Sequence, residues 1–241
     1  MSFYNYLNIP KSCGVGSPIF KKTFYEIADL STSDKKLFAN NIKKITWQYS
    51  LKEENTNIKP YKDDLIDYPE IEIIEVELLS DTRLNRIAEI IMRAIPYPML
   101  LIFKMQEKFK LYLAHQKISL SDSSKNTLEE LIYTDWLDID SHILKKLNIK
   151  EMRFTNFYDL YSDLVDAISI YQASAILPST KNISGEEARN IITKIECIDQ
   201  EIAAVRSKFK KETQFNRRIE LNIQIKKLEQ EKEDMIGEFE K

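Results

Sequence analysis

SGEEARNIITKIECIDQEIAAVRSKFKKETQFNRRIELNIQIKKLEQEKEDMIGEFEK, residues 184–241, carries two helical seams in different phase. Ala188, Ile191, Ile195, Ile198, Ile202, Val205 and Phe209 recur at steps of three and four, which aligns them along one face of a helix. Leu221, Ile225, Leu228, Met235 and Phe239 repeat the spacing in another phase. Ser184 and Glu187 have the spacing of a capping box, which satisfies backbone donors at a helix start. One straight helix would carry Ile195 and Leu228 on different sides. The pattern therefore favours a helical hairpin of two segments, each roughly 35 to 40 Å long at 1.5 Å per residue. A single continuous helix dimerising in parallel is the alternative. Lys232 interrupts the second seam and weakens it.

The phase breaks around residues 213–216, inside a basic interval. Arg206, Lys208, Lys210, Lys211, Arg217 and Arg218 stand there against one acid, Glu212. A hairpin presents this cluster at its tip, where phosphate contact is available and Phe215 can stack or anchor. The plainer account, and the favoured one, is a solvated helix tip; an acidic protein surface would use the same patch. Ile219 and Ile223 lie off the seam of Leu221, Ile225 and Leu228, and surplus apolar surface of this kind marks a partner.

Upstream, residues 179–183 read as a linker and residues 1–178 as a body. No proline follows Pro178 and no tyrosine or tryptophan follows Tyr171. Residues 1–18 mix aromatic side chains with a glycine-rich turn cluster and are expected to drape over the body. Residues 21–30 and 33–44 read as helices, the second capped by Ser31 or Ser33. Ile45, Trp47, Tyr49 and Leu51 alternate with polar residues and define a strand. Residues 71–79 define another, on which Glu75 and Glu77 share a face with Ile73 and Leu79. Ser80 and Asp81 look like caps for a helix over residues 84–94. Residues 99–103 form an apolar run suited to a central strand, with residues 109–113 its hairpin neighbour. A further strand is expected within residues 128–137, and a helix over residues 154–171 closes the body. The fold class is α+β: a mixed or antiparallel sheet with flanking helices, followed by a C-terminal α-helical hairpin, a coiled-coil-like arm.

Composition narrows the function classes. The 241 residues are 43% hydrophobic and 30% charged, and 35 basic against 38 acidic residues leave no whole-protein field to draw nucleic acid or membrane. Cys13 and Cys197 supply neither a disulfide framework nor a metal-ligand spacing, which suits a reducing cytoplasm. The longest apolar run, residues 94–103, contains two prolines and falls short of the roughly 20 residues a bilayer needs, so a soluble protein is expected. Only His115 and His142 could serve a nucleophilic triad, and both read as strand-end or surface residues. No Walker A motif or dinucleotide fingerprint occurs, so no nucleotide cofactor, other cofactor or metal is expected.

One enzymatic reading survives. Glu72, Glu75, Glu77 and Asp81 gather on and after one strand, as in a magnesium-dependent nuclease. The lysine expected two positions after the strand glutamate is absent, since position 79 is Leu79 and position 77 is Glu77. The ordinary alternative is a strand near the sheet's edge whose carboxylates face solvent or pair with Arg83, Arg86 or Arg93.

The runs Lys44-Ile45-Thr46-Trp47-Gln48-Tyr49-Ser50-Leu51, Asn55-Thr56-Asn57-Ile58 and Arg93-Ala94-Ile95-Pro96-Tyr97-Pro98 belong to a wider set. With residues 133–136, the run Lys211-Glu212-Thr213-Gln214-Phe215-Asn216-Arg217-Arg218 and the pair Leu221-Asn222, they resemble an uncharacterised bacterial domain-of-unknown-function family. Its members are encoded beside DNA methyltransferases and superfamily 2 helicases in restriction and phage-defence loci. The family pattern has a basic residue where Ser50 stands and a histidine where Pro98 stands, so the resemblance places no site at either. It implies a subunit of a DNA-directed defence system and assigns no catalytic residue. Taken together, the expectation is a non-enzymatic accessory subunit. Its arm would bind a helicase or methyltransferase, or a second copy of itself, with DNA contact through the tip a secondary option behind the solvated tip.

Overall fold

The computed structural model describes residues 3–119, 126–177 and 183–238. Phe239 and linker residues 179–182 lie outside them. The chain divides into two compact units, Met1–Ile168 and Ser169–Lys241.

The first unit opens with helix α1 (Tyr4–Leu7), strand β1 (Gly14–Ile19), helices α2 (Lys21–Ile27) and α3 (Thr32–Asn41), and strand β2 (Ile42–Leu51). Residues 14–19 thus pair as a strand instead of draping. The glycines that read as a turn signal accommodate a bulge: register slips between Gly14 and Ser17, and Gly16 has φ +67°. Of the two candidate caps of α3, Ser31 is the one used; its hydroxyl accepts from the Asp34 N–H at 3.1 Å. The helix stops at Asn41, short of residue 44. The Asn41 amide donates to the Thr82 carbonyl and its own carbonyl accepts from the Leu79 N–H, both at 2.7 Å.

Helix α4 (Glu53–Thr56) and the small ladder of β3 (Tyr61–Lys62) with β4 (Asp67–Tyr68) lead to β5 (Ile71–Leu78), helix α5 (Leu84–Ala94) and β6 (Met99–Met105). Strands β7 (Lys108–Leu113), β8 (Gln116–Ile118), β9 (Asn126–Leu128) and β10 (Ile132–Tyr133) follow, then α6 (Ile143–Lys146) and α7 (Phe157–Ile176). Among the described residues six strands form one mixed sheet in the order β1-β2-β5-β6-β7-β10. Neighbours are antiparallel except β5 and β6, which run parallel and are joined through α5. Strand β5 is therefore interior, not near an edge. Ser80 and Asp81 do not cap α5; Arg83 holds the cap position in the left-handed region, without a side-chain cap.

Alternation gives the sheet two buried faces. Ile45 of β2, Ile74, Val76 and Leu78 of β5, Leu101 and Phe103 of β6 and Tyr112 of β7 pack with Phe24, Leu37, Phe38, Leu84, Ile87, Ala88 and Ile91 of α2, α3 and α5. On the opposite face Phe3 stacks on Phe109 at 4.9 Å, and Tyr161 of α7 reaches the ends of β6 and β7. Arg86 of α5 ties the first layer to α3, its Nε and Nη2 donating to the two Asp34 oxygens at 3.1 and 3.0 Å. That guanidinium holds the Asp34 carboxyl down at about 2. The pair's contribution is present above the ordinary carboxylate pKa and is lost as pH falls from about 4 to about 2. Arg86→Met is expected to cost about 1 to 2 kcal/mol at pH 7: Asp34 is buried and loses its counter-charge, but solvent screens the partly exposed guanidinium and Ser31 still donates to the carboxylate. It should also flatten acid unfolding over that window, read by urea titrations at several pH values.

In the second unit the C-terminal part of α7 joins α8 (Gly185–Lys211) and α9 (Phe215–Glu238). Ala173 and Leu177 pack with Ala188, Ile191, Ile192 and Ile195. Ser184 and Glu187 form the expected capping box. Further along, Ile198, Ile202 and Val205 meet Ile225, with Phe209, Leu221, Leu228 and Met235 beside them. Helices α8 and α9 fold back on one another, so of the two arm geometries the hairpin is the one formed. Lys232, the charge in the second seam, has its ammonium bridging both Asp199 oxygens at 2.7 Å.

Candidate functional site

The hairpin turn, residues 212–214, contains no glycine or proline. Glu212 closes it, its carboxylate accepting from the Thr213 and Gln214 N–H groups at 2.8 Å each. Those bonds and the nearby Arg217 hold its pKa below the usual carboxylate range. The lone acid of the basic interval is thus a turn clasp. Two of the six cations also serve the hairpin. Arg206 pairs with Glu229 at 2.6 Å, and the Arg218 guanidinium lies 4.8 Å from the Phe209 ring centre. Lys208, Lys210, Lys211 and Arg217 are exposed around the turn.

The apolar residues of α9 separate into two faces. Ile225 is buried and Leu221 and Leu228 are half-buried against α8, so these three belong to the hairpin's own seam. Phe215, Ile219 and Ile223 follow one another at intervals of four and are 75%, 44% and 56% exposed. Four-residue spacing puts them on one stripe beside the basic tip.

The carboxylates of β5 do not gather. Glu75 accepts from the Tyr4 hydroxyl at 2.6 Å, Glu77 pairs with Lys43 at 2.7 Å, and Asp81 is exposed beyond the strand. Arg86 and Arg93 are engaged by Glu89 instead. Glu72 projects from the other face, since even and odd positions of a strand alternate. Among the described residues no group of three or more acidic, histidine or cysteine side chains is placed to hold a metal ion.

Glu72 itself lies where sequence reasoning saw only a member of an acidic run. It is 3% exposed and accepts hydrogen bonds from the Trp47 indole N–H and from the Ser50 hydroxyl, the latter at 3.1 Å. Trp47 and Ser50 are three positions apart and would face opposite ways on a regular strand. The β2–β5 register shifts between Trp47 and Tyr49, and this bulge puts both donors on the Glu72 side. Burial lifts the Glu72 carboxyl to about 7, and neighbouring Glu70 adds to the rise. The residue lines a cleft of about 390 Å³ with Ile19, Trp47, Lys52, Glu70, Ile74, Ile95 and Tyr97. Lys52 pairs with Glu70 at 3.0 Å in the same cleft.

His115 is less peripheral than a strand-end reading implies. Its Nδ1 is 3.0 Å from the Tyr68 hydroxyl, and its ring packs with Tyr68, Tyr158 and Tyr161. Cys13 is buried and Cys197 exposed, both as free thiols. No described helix is long and apolar enough to cross a membrane.

A family model described as Domain of unknown function (DUF4391) matches residues 7–231, which include the cleft and the hairpin as far as residue 231 of α9. The chain belongs to this family. No curated protein and no solved structure matches it. The DUF4391 match runs through β2, β5 and the turn between α8 and α9, so cleft, stripe and tip all belong to the family's domain.

Proposed function

We propose that this DUF4391 protein is a non-enzymatic accessory subunit that docks a partner protein through the outer stripe of α9. The observation that carries the reading is the separation of faces on that helix. Leu221, Ile225 and Leu228 are spent on α8, while Phe215, Ile219 and Ile223 remain in solvent. Three exposed large apolar side chains on one stripe are costly to keep unless something covers them. The exposed Lys208, Lys210, Lys211 and Arg217 beside the stripe favour a partner whose apolar groove is rimmed by carboxylates. The resemblance to a family encoded beside DNA methyltransferases and superfamily 2 helicases supports one of these as the partner, within a bacterial DNA-directed defence complex in the cytoplasm. DNA contact through the tip is a secondary element of the proposal.

Changing Phe215, Ile219 and Ile223 together to serine should leave the melting temperature nearly unchanged, because none of the three is buried. Co-purification with the proposed methyltransferase or helicase partner should fall at least tenfold, since apolar anchors dominate interface energy. Undiminished capture by the triple variant would sink the proposal. Neutralising Lys208, Lys210, Lys211 and Arg217 should reduce the salt dependence of any duplex DNA binding. Each phosphate contact removed lowers the log–log slope by about 0.9. An unaltered slope would remove the tip from the account.

A further inference from the structure

The cleft around Glu72 has no part in the docking reading, and its chemistry points to a ligand of its own. Its floor is a carboxylate only 3% exposed that still lines the cleft, with one donor on each oxygen, Trp47 on Oε2 and Ser50 on Oε1. A carboxylate offers about four acceptor positions, so hydrogen-bonding capacity remains on both oxygens. The walls are apolar and aromatic, supplied by Ile19, Ile74, Ile95, Trp47 and Tyr97. The charges do not balance: Lys52 makes its ion pair with Glu70 and acts on Glu72 only through its field, so two carboxylates share one cation. A volume of about 390 Å³ suits a small molecule.

We propose that this cleft binds a small organic cation, an ammonium or guanidinium group carried on a compact apolar or aromatic body. An anionic ligand would meet two carboxylates. A neutral hydrocarbon would desolvate Glu72 further and offer it nothing. A cation donates to the spare lone pairs, supplies the missing charge and gains from the aromatic walls. Binding is then coupled to ionisation of Glu72. Burial and Glu70 favour its neutral form, whereas the bonds from Trp47 and Ser50 and, least of all, the charge of Lys52 favour the ionised one. The cation selects the charged form, so affinity rises with pH through the neutral range.

The test uses the full chain and benzylamine, which stays protonated from pH 6 to 8, with benzyl alcohol as the neutral isostere and benzoate as the anion. Calorimetry or ligand-observed NMR should show benzylamine binding about tenfold more tightly at pH 8 than at pH 6, as expected for one carboxyl titrating near 7. Benzyl alcohol should bind at least tenfold more weakly at pH 8, and benzoate not at all. Glu72→Gln should bring benzylamine at pH 8 down to the benzyl alcohol level and abolish the pH dependence. Equal affinity for amine and alcohol, no binding of the amine, or a pH dependence that survives in Glu72→Gln would each overturn the proposal. The wild-type comparison of amine with alcohol decides the matter even if the variant folds poorly.

Discussion

Between pH 4.5 and 7 the wild-type protein is expected to lose stability as pH rises, and Glu72→Gln is expected to remove that loss. The folded carboxyl titrates at about 7 and the unfolded one near the ordinary value of 4.5. With its pKa raised by folding, the group ionises first in the unfolded chain. Its contribution is therefore intact below about 4.5 and is withdrawn as pH climbs through 7. A shift of this size corresponds to about 3 kcal/mol at 1.36 kcal/mol per pKa unit. Glutamine preserves the shape and can still accept from Trp47 while donating to the Ser50 oxygen. At pH 8 the variant should therefore exceed wild type by about 2 kcal/mol, some of the gain being offset by the rearranged Ser50 proton. Parallel urea curves at pH 4.5, 6, 7 and 8 read the effect. If wild type and variant share one slope, Glu72 is not the group that titrates. Asp34 contributes with the opposite sign at lower pH, so the full profile should rise from pH 2 to 4 and then decline.

Tyr161→Phe is expected to cost about 3 kcal/mol, large for the loss of one oxygen. The Tyr161 ring is fully buried in α7, and its hydroxyl sits among three backbone groups. It accepts from the Ala114 N–H at 3.1 Å and lies 2.9 and 3.0 Å from the Met99 and Ala114 carbonyls, either of which can take its proton. Removing the hydroxyl leaves a buried N–H and a carbonyl without their partner, each costing about 1 to 3 kcal/mol. The aromatic contacts with Tyr68 and His115 survive the change, so the loss isolates the polar contribution. A denaturant midpoint within error of wild type would show that water replaces the hydroxyl.

Periodicity made the two hairpin helices readable in advance, because a seam such as Ile198, Ile202 and Val205 depends only on spacing along one helix. The apolar run at residues 99–103 likewise placed the centre of the sheet, and alternation over residues 71–79 found β5. What escaped depends on register. The bulge that sends both Trp47 and Ser50 toward Glu72 adds one residue to a strand pairing that no local pattern records. Without it, Glu72 reads as one acid among several. Strand β1 escaped because Gly14 and Gly16 signal a turn as readily as a bulge. The role of Tyr161 escaped because its three partners lie 47 and 62 positions away. Glu212 offered a faint cue as the only acid in a basic interval, but its bonds to Thr213 and Gln214 become visible only once the turn is formed.

The parallel pairing of β5 with β6 also bears on when the outer stripe of α9 first becomes available. Contacts between distant segments make such a sheet the slow step of folding, whereas neighbouring helices zip together on a microsecond scale. Translation runs from the sheet toward the hairpin, so every described strand has left the ribosome before α8 begins to emerge. The slow element receives the head start. Phe215, Ile219 and Ile223 then reach solvent on a hairpin whose closure waits for the synthesis of α9, on the order of seconds, and the seam of α8 is open to other chains for that interval.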